Sequence, residues 1–443
     1  MAKIRPFKGM LYNQKRFSDP SLLLAPPYDV VSKDDRDRIV AAEPYNVFRL
    51  DLPDLSDCLG QEPAAGDKYQ CAARILRKWL EQDVLLQEGK PAIYPYSIDF
   101  KVNGNSYRRK GFITLVRADD WLERTILPHE KTFNKVTEDR FHLRVATRAQ
   151  FSHIFMIYRH ISGLSDLLSG PASDIFSVQD AMGNTHTLSR ISDASVTTQV
   201  AEAFSRHPLY IADGHHRYTT AINYRKEMAR RFGDDSGEDP LYQYTMAYLV
   251  DVDDPGLIVL PTHRLVRMPQ GLTVQDAEAR LSQFFHIREV AHTRNGSSET
   301  VRLMKEAMAA EDVQSIGFMA GVDNGIKLLS LKPEAREKLL KITGHRELAD
   351  LDVVMLEQLA FGKALNIDVE ELEVGRDLFY EADSQRAVEH LGPDLMLFFM
   401  NPTQAEQVLN VADAGLTMPH KSTFFYPKIL TGIVMHLEQM PGR

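Results

Sequence analysis

Cysteine is nearly missing from this chain, which has only Cys58 and Cys71 among 443 residues, spaced neither as metal ligands nor as a redox motif. That excludes a thiolate metal centre and makes a reducing cytoplasm the expected home. No uninterrupted apolar stretch reaches about 18 residues, so a membrane span is not expected. Met1 to Asn13 is basic at Lys3, Arg5 and Lys8 but lacks the apolar segment of a signal peptide. Lys and Arg number 52 against 61 Asp and Glu, a net charge of -9, which argues against a general nucleic-acid binder and leaves room only for a local basic cleft. There is no G-x-x-x-x-G-K-[ST] loop and no protein-kinase signature set, so any nucleotide site is of another design.

What is present is an even, globular composition, 44% hydrophobic and 26% charged, long enough for two or three domains. Three segments read as β-hairpins because runs rich in aromatic and β-branched residues flank a Gly or Asn turn. They are Ala92 to Val116, Phe176 to Ile191 and Ile316 to Leu331. Helical periodicity covers Lys68 to Gln82, Glu138 to Gln150, His216 to Phe232, Thr273 to Phe284, Ser298 to Ala309 and Thr403 to Ala412. The mixture predicts an α+β protein. Loops dense in Gly, Asp and Pro at Asp51 to Gly66, Gly233 to Pro240 and His292 to Ser298 are candidate boundaries. The divisions are placed near 125 and, after the strand-like "LIVLPTHRLV", near 268, which gives an N-terminal region, 1–125, a core, 126–268, and a C-terminal α+β domain, 269–443.

The stretch "YIADGHHRYT", residues 210–219, sets a buried-looking strand against a helix through Asp213, Gly214, His215, His216 and Arg217. The first turn of a helix has unpartnered N–H groups and the positive end of the dipole, so it attracts anions. Arg217 can fork two phosphate oxygens, two imidazoles add to the attraction, and Gly214 lets a ligand approach the backbone. Asp213 would repel phosphate unless it holds a cation. The plain alternative is an Asp N-cap with polar residues in solvent. A metal held by both imidazoles is disfavoured, because helix neighbours project about 100° apart and metal pairs prefer i, i+4 spacing.

A second cluster runs from 126 to 150. His129, Glu130, Lys131 and Thr132 follow Pro128 in a loop, and Arg140, Arg144 and Arg148 share one helical face, on the plain reading a solvated one paired with Glu138 and Asp139. Glu130 is a natural base for a hydroxyl if the fold brings it to the phosphate site. "APPYDVVS", 25–32, presents Tyr28, Asp29 and Ser32, and "MPHKSTFFYPK", 418–428, presents Lys421, Ser422 and Thr423; packing loops are the preferred reading of both.

Together "PPYDVVS", "LPHEKT", "DGHHRY" and "MPHKSTFFYPK", in this order, resemble the bacterial and archaeal family catalogued as domain of unknown function 1015. More remotely, "ADGHHRY" resembles the ParB/sulfiredoxin-like superfamily, which implies a mixed core binding nucleotide phosphates at a helix N-terminus. His215 stands where a sulfiredoxin carries its reactive cysteine, and His216 departs from the Gly-x-Arg-Arg of DNA-partitioning members. Asp213 fits the free serine kinase group best. The resemblance therefore implies an ATP- or ADP-dependent kinase of a small hydroxylated metabolite such as serine. Its expected roles are Glu130 as base, His215, His216 and Arg217 on the phosphates with Gly214, Lys131 or Arg140 balancing charge, and Asp213 on Mg²⁺ or the acceptor. A phosphomonoester phosphatase and a non-catalytic nucleotide sensor stay open.

Overall fold

The structure is a computed structural model that describes residues 1–58, 67–130, 134–170, 172–233, 239–291, 296–321 and 325–438, leaving aside the side chains of 134–136. It divides into two compact units, Met1–Ile258 with Pro427–Arg443, and Val259–Tyr426. The sequence boundary near 125 falls inside the first unit, where the Leu209 amide donates to the Thr125 carbonyl at 3.0 Å. The one near 268 falls in the second, just past the strand His263–Arg267.

Both units are mixed α+β. The first is built on a nine-stranded sheet: β1 (Ile4–Arg5), β2 (Tyr94–Val102), β3 (Asn105–Arg117), β4 (Ile126–Leu127), β5 (Ile154–Tyr158), β6 (Ser173–Gln179), β7 (Thr185–Arg190), β8 (Leu209–Asp213) and β9 (Tyr244–Asp251). Their order is β4-β8-β5-β9-β3-β2-β7-β6, with β1 paired to β3. The β2–β3 hairpin turns on Asn103 and Gly104, whose φ of 50° and 81° a tight turn between twisted strands requires. The β6–β7 hairpin also forms as expected.

Register decides what meets at each end of this sheet. β5 and β9 are parallel, so Tyr158 and Asp251 lie side by side at their carboxyl ends. β8 is antiparallel to β5, which carries Asp213 to the other end of the sheet, beside Phe155. Ile113, Met156, Ile211 and Leu249 are fully buried in this sheet, each side chain contributing roughly 1.5–3 kcal/mol by leaving water.

Helices of this unit include α1 (Phe48–Asp51), α2 (Lys68–Glu81), α3 (Asn134–Thr147) and α4 (His215–Phe232). α4 packs Tyr218 and Ile222 into the core formed with Met156 and Ile211. α3 ends before the third arginine of the predicted stripe: Arg148 takes a φ of 52°, so it leaves the face of Arg140 and Arg144. Those two are 7% and 5% exposed, not on a solvated face. The C-terminal segment returns to this unit, where Met435–Leu437 joins a small sheet with Gly9–Tyr12, Leu85–Gln87 and Ala149–Gln150.

Cys58 and Cys71, whose spacing suggested no redox pairing, are joined by a disulfide across 13 residues. The turn after α1 and the start of α2 bring them together, which spacing alone does not reveal. Among the described residues no helix is long and apolar enough to cross a membrane.

The second unit has a six-stranded sheet in the order Phe285–Ala291, Ile326–Leu331, Ser315–Ala320, Leu395–Phe399, His263–Arg267, Leu378–Glu381. Its core gathers Leu265, Met304, Met319, Leu328, Leu397 and Phe399.

Candidate functional site

The run Leu209-Tyr210-Ile211-Ala212 is buried along its length, as an apolar strand in a central position must be. Its register against β5 shifts between Ile211 and Asp213, a bulge that re-aims the side chain at the strand's end. Gly214 follows with φ 97° and ψ 31° and is the N-cap of the 18-residue α4, with no side chain capping the first turn. The expected Asp N-cap is therefore not what forms. Asp213 instead accepts a hydrogen bond from Lys428 Nζ at 2.9 Å, with Arg217 Nη2 at 3.8 Å from the same oxygen. Burial works to raise the Asp213 carboxyl, but Lys428 and then Arg217 hold it well below the usual carboxylate range.

Arg217 folds back over Gly214. A Cβ there would lie 2.9 Å from Arg217 Nε, so the space read from the sequence as room for a ligand is the seat of this guanidinium. Arg217 also donates to the His153 carbonyl. Burial alone would lower its pKa, and Asp213, Asp29 and Tyr28 reverse that, so it stays a cation.

His215, expected from the sequence to help hold the phosphates, is enclosed by the fold. It is 4% exposed, and its Nε2 accepts the His129 backbone N–H at 3.2 Å, with the two rings edge to face at 4.6 Å. Burial, then His129, hold its pKa well below the ordinary imidazole range, so His215 is a neutral clamp between this turn and the 126–130 loop. That clamp carries Glu130 into the site: its Oε2 lies 3.7 Å from His215 Nδ1. His129 is likewise pushed down to about 4 by burial. His216 is half-buried at the second position of α4. Lys131 lies outside the described residues.

Arg140 borders the same ground from α3. A cavity of about 50 Å³ is lined by Arg140, Arg217, Asp51 and Ser152 among others. The Arg140 guanidinium is already occupied: it pairs with Asp139, donates to the Asp51 carbonyl and lies 4.4 Å over the Tyr28 ring. Asp51 is 3% exposed; burial raises its carboxyl despite Arg140 and Arg217, and its Oδ2 has no hydrogen-bond partner among the described residues. Burial holds the Tyr28 phenol up at about 12, partly offset by Arg217 and Arg140, so it is a hydrogen-bond donor at neutral pH.

Three of these residues escaped the sequence reading. Lys428 closes the "MPHKSTFFYPK" stretch, beyond Lys421, Ser422 and Thr423. Ser422 is buried and donates to the Pro419 carbonyl at 2.6 Å, and Lys421 takes a φ of 56°, so that part of the loop is a turn. Tyr28 belongs to "APPYDVVS", read as packing; Ser32 of that stretch caps the following helix by accepting the Asp35 amide at 3.1 Å. Asp51 carried no signal of its own.

The metal role expected of Asp213 does not fit. Its carboxylate faces two cations, and among the described residues it belongs to no cluster of His, Cys, Asp and Glu ligand atoms within metal reach.

Several solved structures are similar to this chain. A free serine kinase variant in complex with AMP is 12% identical, with 72% of this chain and 92% of that one covered at a TM-score of 0.33. SbnI with a C-terminal truncation, from Staphylococcus aureus, is 11% identical over 72% and 85%, at 0.34. A conserved hypothetical protein from Pyrococcus furiosus is 13% identical over 72% and 95%, at 0.30. No curated protein sequence matches. The profile of the family described as "Protein of unknown function (DUF1015)" matches residues 4–354, and the chain belongs to that family.

Proposed function

We propose that this chain is a nucleotide-dependent phosphotransferase acting on the hydroxyl of a small metabolite, with free serine as the first acceptor to test. The observation that carries the reading is the gathering of Lys428 and Arg217 on Asp213 at the uncapped start of α4, with Glu130 drawn in by the His215 clamp. With His215 neutral, Lys428 and Arg217 balance Asp213 and Glu130, so the pull on a phosphate comes from the guanidinium and ammonium donors together with the positive end of the helix dipole. In this reading ATP or ADP places its terminal phosphate against Arg217, Lys428 and the first N–H groups of α4. Phosphoryl transfer depends mostly on such positioning and charge neutralisation. Glu130 takes the acceptor's proton as its oxygen bonds phosphorus and the bond to the nucleotide's leaving oxygen breaks. Asp213 orients the two cations, and no step passes through Mg²⁺ on that residue. A ParB/sulfiredoxin-like core belongs to the same proposal, in which the segment 126–268 supplies Glu130, Asp213 and Arg217 and the C-terminal return supplies Lys428.

The test follows terminally labelled ATP and ADP with serine, in wild type and Arg217→Ala. Label arriving on serine in the wild type alone supports the reading. Label released only to water makes the protein a nucleotide hydrolase, phosphate freed from phosphoserine without transfer to a nucleotide makes it a phosphomonoester phosphatase, and nucleotide-induced thermal stabilisation without turnover makes it a sensor. Equal behaviour of wild type and variant overturns the phosphate role of the turn.

A further inference from the structure

At the other end of the same sheet lies a second constellation. Asp251 ends β9, and His160 follows β5 by two residues; the parallel pairing of Asp251 with Tyr158 brings both strand ends together. His160, Asp251 and Asp253 each offer one ligand atom, all within 4.8 Å of one another. His160 Nδ1 lies 2.9 Å from Asp251 Oδ2, while Asp251 Oδ1 accepts the Asp253 amide at 3.0 Å.

The loop that carries the two acids is fixed in place. Asp254 accepts the Gly256 amide at 2.9 Å and the Lys110 amide at 3.3 Å. Gly256 itself sits so close to β3 that a Cβ would come within 2.4 Å of the Arg108 backbone. No larger residue fits there without displacing the loop.

A separate observation points to a ligand. His160, Asp251 and Asp253 line a cavity of about 430 Å³ together with Tyr158. Tyr158 is 5% exposed, packed edge to face on Phe204 at 5.0 Å, and its hydroxyl has no hydrogen-bond partner among the described residues. That hydroxyl belongs to a residue lining the cavity, where a ligand can give it the hydrogen bond that no described residue supplies.

We infer that His160, Asp251 and Asp253 form a divalent-metal site, distinct from the DGHHR turn, with its open coordination positions facing the Tyr158 cavity. One imidazole and two carboxylates are a nitrogen–oxygen set suited to a borderline ion such as Mn²⁺ or Zn²⁺. Ligands about 2.1 Å from one ion lie no more than about 4.2 Å apart, so side-chain adjustments of a few tenths of an ångström close the 4.8 Å set. The ion takes over the Asp251 oxygen that His160 now holds.

The probe is Mn²⁺ alone, titrated into the full-length chain with the free ion read by electron paramagnetic resonance. The expected result is one ion per wild-type chain and at least about tenfold weaker binding in Asp251→Asn and in His160→Gln, with Asp213→Asn binding as wild type does. His160 is exposed, so its variant keeps the test alive if Asp251→Asn does not fold. Mn²⁺ left free by the wild type, or bound equally by His160→Gln, overturns the site; weakening by Asp213→Asn instead moves the ion to the other end of the sheet and overturns it equally.

Discussion

Replacing Lys428 by methionine keeps the aliphatic stem but strips Asp213 of its nearest cation. At an effective dielectric of about 20, Coulomb's law gives roughly 6 kcal/mol for the Lys428 contact at 2.9 Å and roughly 4 for Arg217 at 3.8 Å. Desolvation offsets much of this. Both partners of the Lys428 pair keep about a fifth of their side-chain surface, at 20% and 22% exposure, and Arg217 remains in the variant. The net loss therefore falls below the roughly 3–5 kcal/mol of a fully buried broken pair, at about 2 kcal/mol, or a fall in Tm of roughly 4–8 °C. The pH dependence follows from the depressed Asp213 carboxyl. Such a group stabilises the fold above its unfolded value near about 3.9 and loses that contribution as pH falls through its lower folded value. The gap in Tm between wild type and Lys428→Met is thus full at pH 7 and closes below about pH 4. Thermal unfolding at a series of pH values measures it. An unchanged Tm at pH 7, or a gap that widens with acid, refutes the reasoning.

Glu130→Gln is expected to cut phosphoryl transfer by about 10²–10⁴-fold while nucleotide binding stays within roughly twofold; steady-state kinetics beside a binding titration decide, and unchanged turnover rules out the base. Gly214→Ala forces a left-handed φ of 97° on a residue with a Cβ and pushes into Arg217, costing roughly 1–2 kcal/mol in urea unfolding and abolishing protection by nucleotide. The buried imidazoles His129, pushed down to about 4, and His153 and His436, pushed down to about 3, each by burial above all, stabilise the fold above the unfolded value of about 6.5. That contribution is lost as pH falls from there towards the folded values. The urea midpoint should drop steeply between pH 6.5 and 4, and a flat profile would count against all three being buried and neutral.

Much of the local structure was legible because it is written in short-range chemistry. Asn103-Gly104 specifies a tight turn by its tolerance of positive φ, and the apolar run before Asp213 specifies a central strand. The α4 periodicity placed His215 to Arg217 in the first turn, where the structure has them. The arginine stripe misled for the opposite reason. Spacing at i, i+4, i+8 describes a face but not what covers it, and here Arg144 meets Glu438, far along the chain, at 2.7 Å.

By itself the sequence determined the α+β class, the strand-turn-helix that presents Asp213 to Arg217, and membership of a family by four ordered motifs. Only the tertiary structure decided the charge state and company of those residues. His215 is neutral because His129 and the core enclose it, Asp213 is a cation's partner because residue 428 returns to the first unit, and Gly214 is open to its own Arg217 before any ligand. Periodicity and propensity act over a few residues, whereas desolvation and ion pairing depend on which distant segments the sheet register brings into contact.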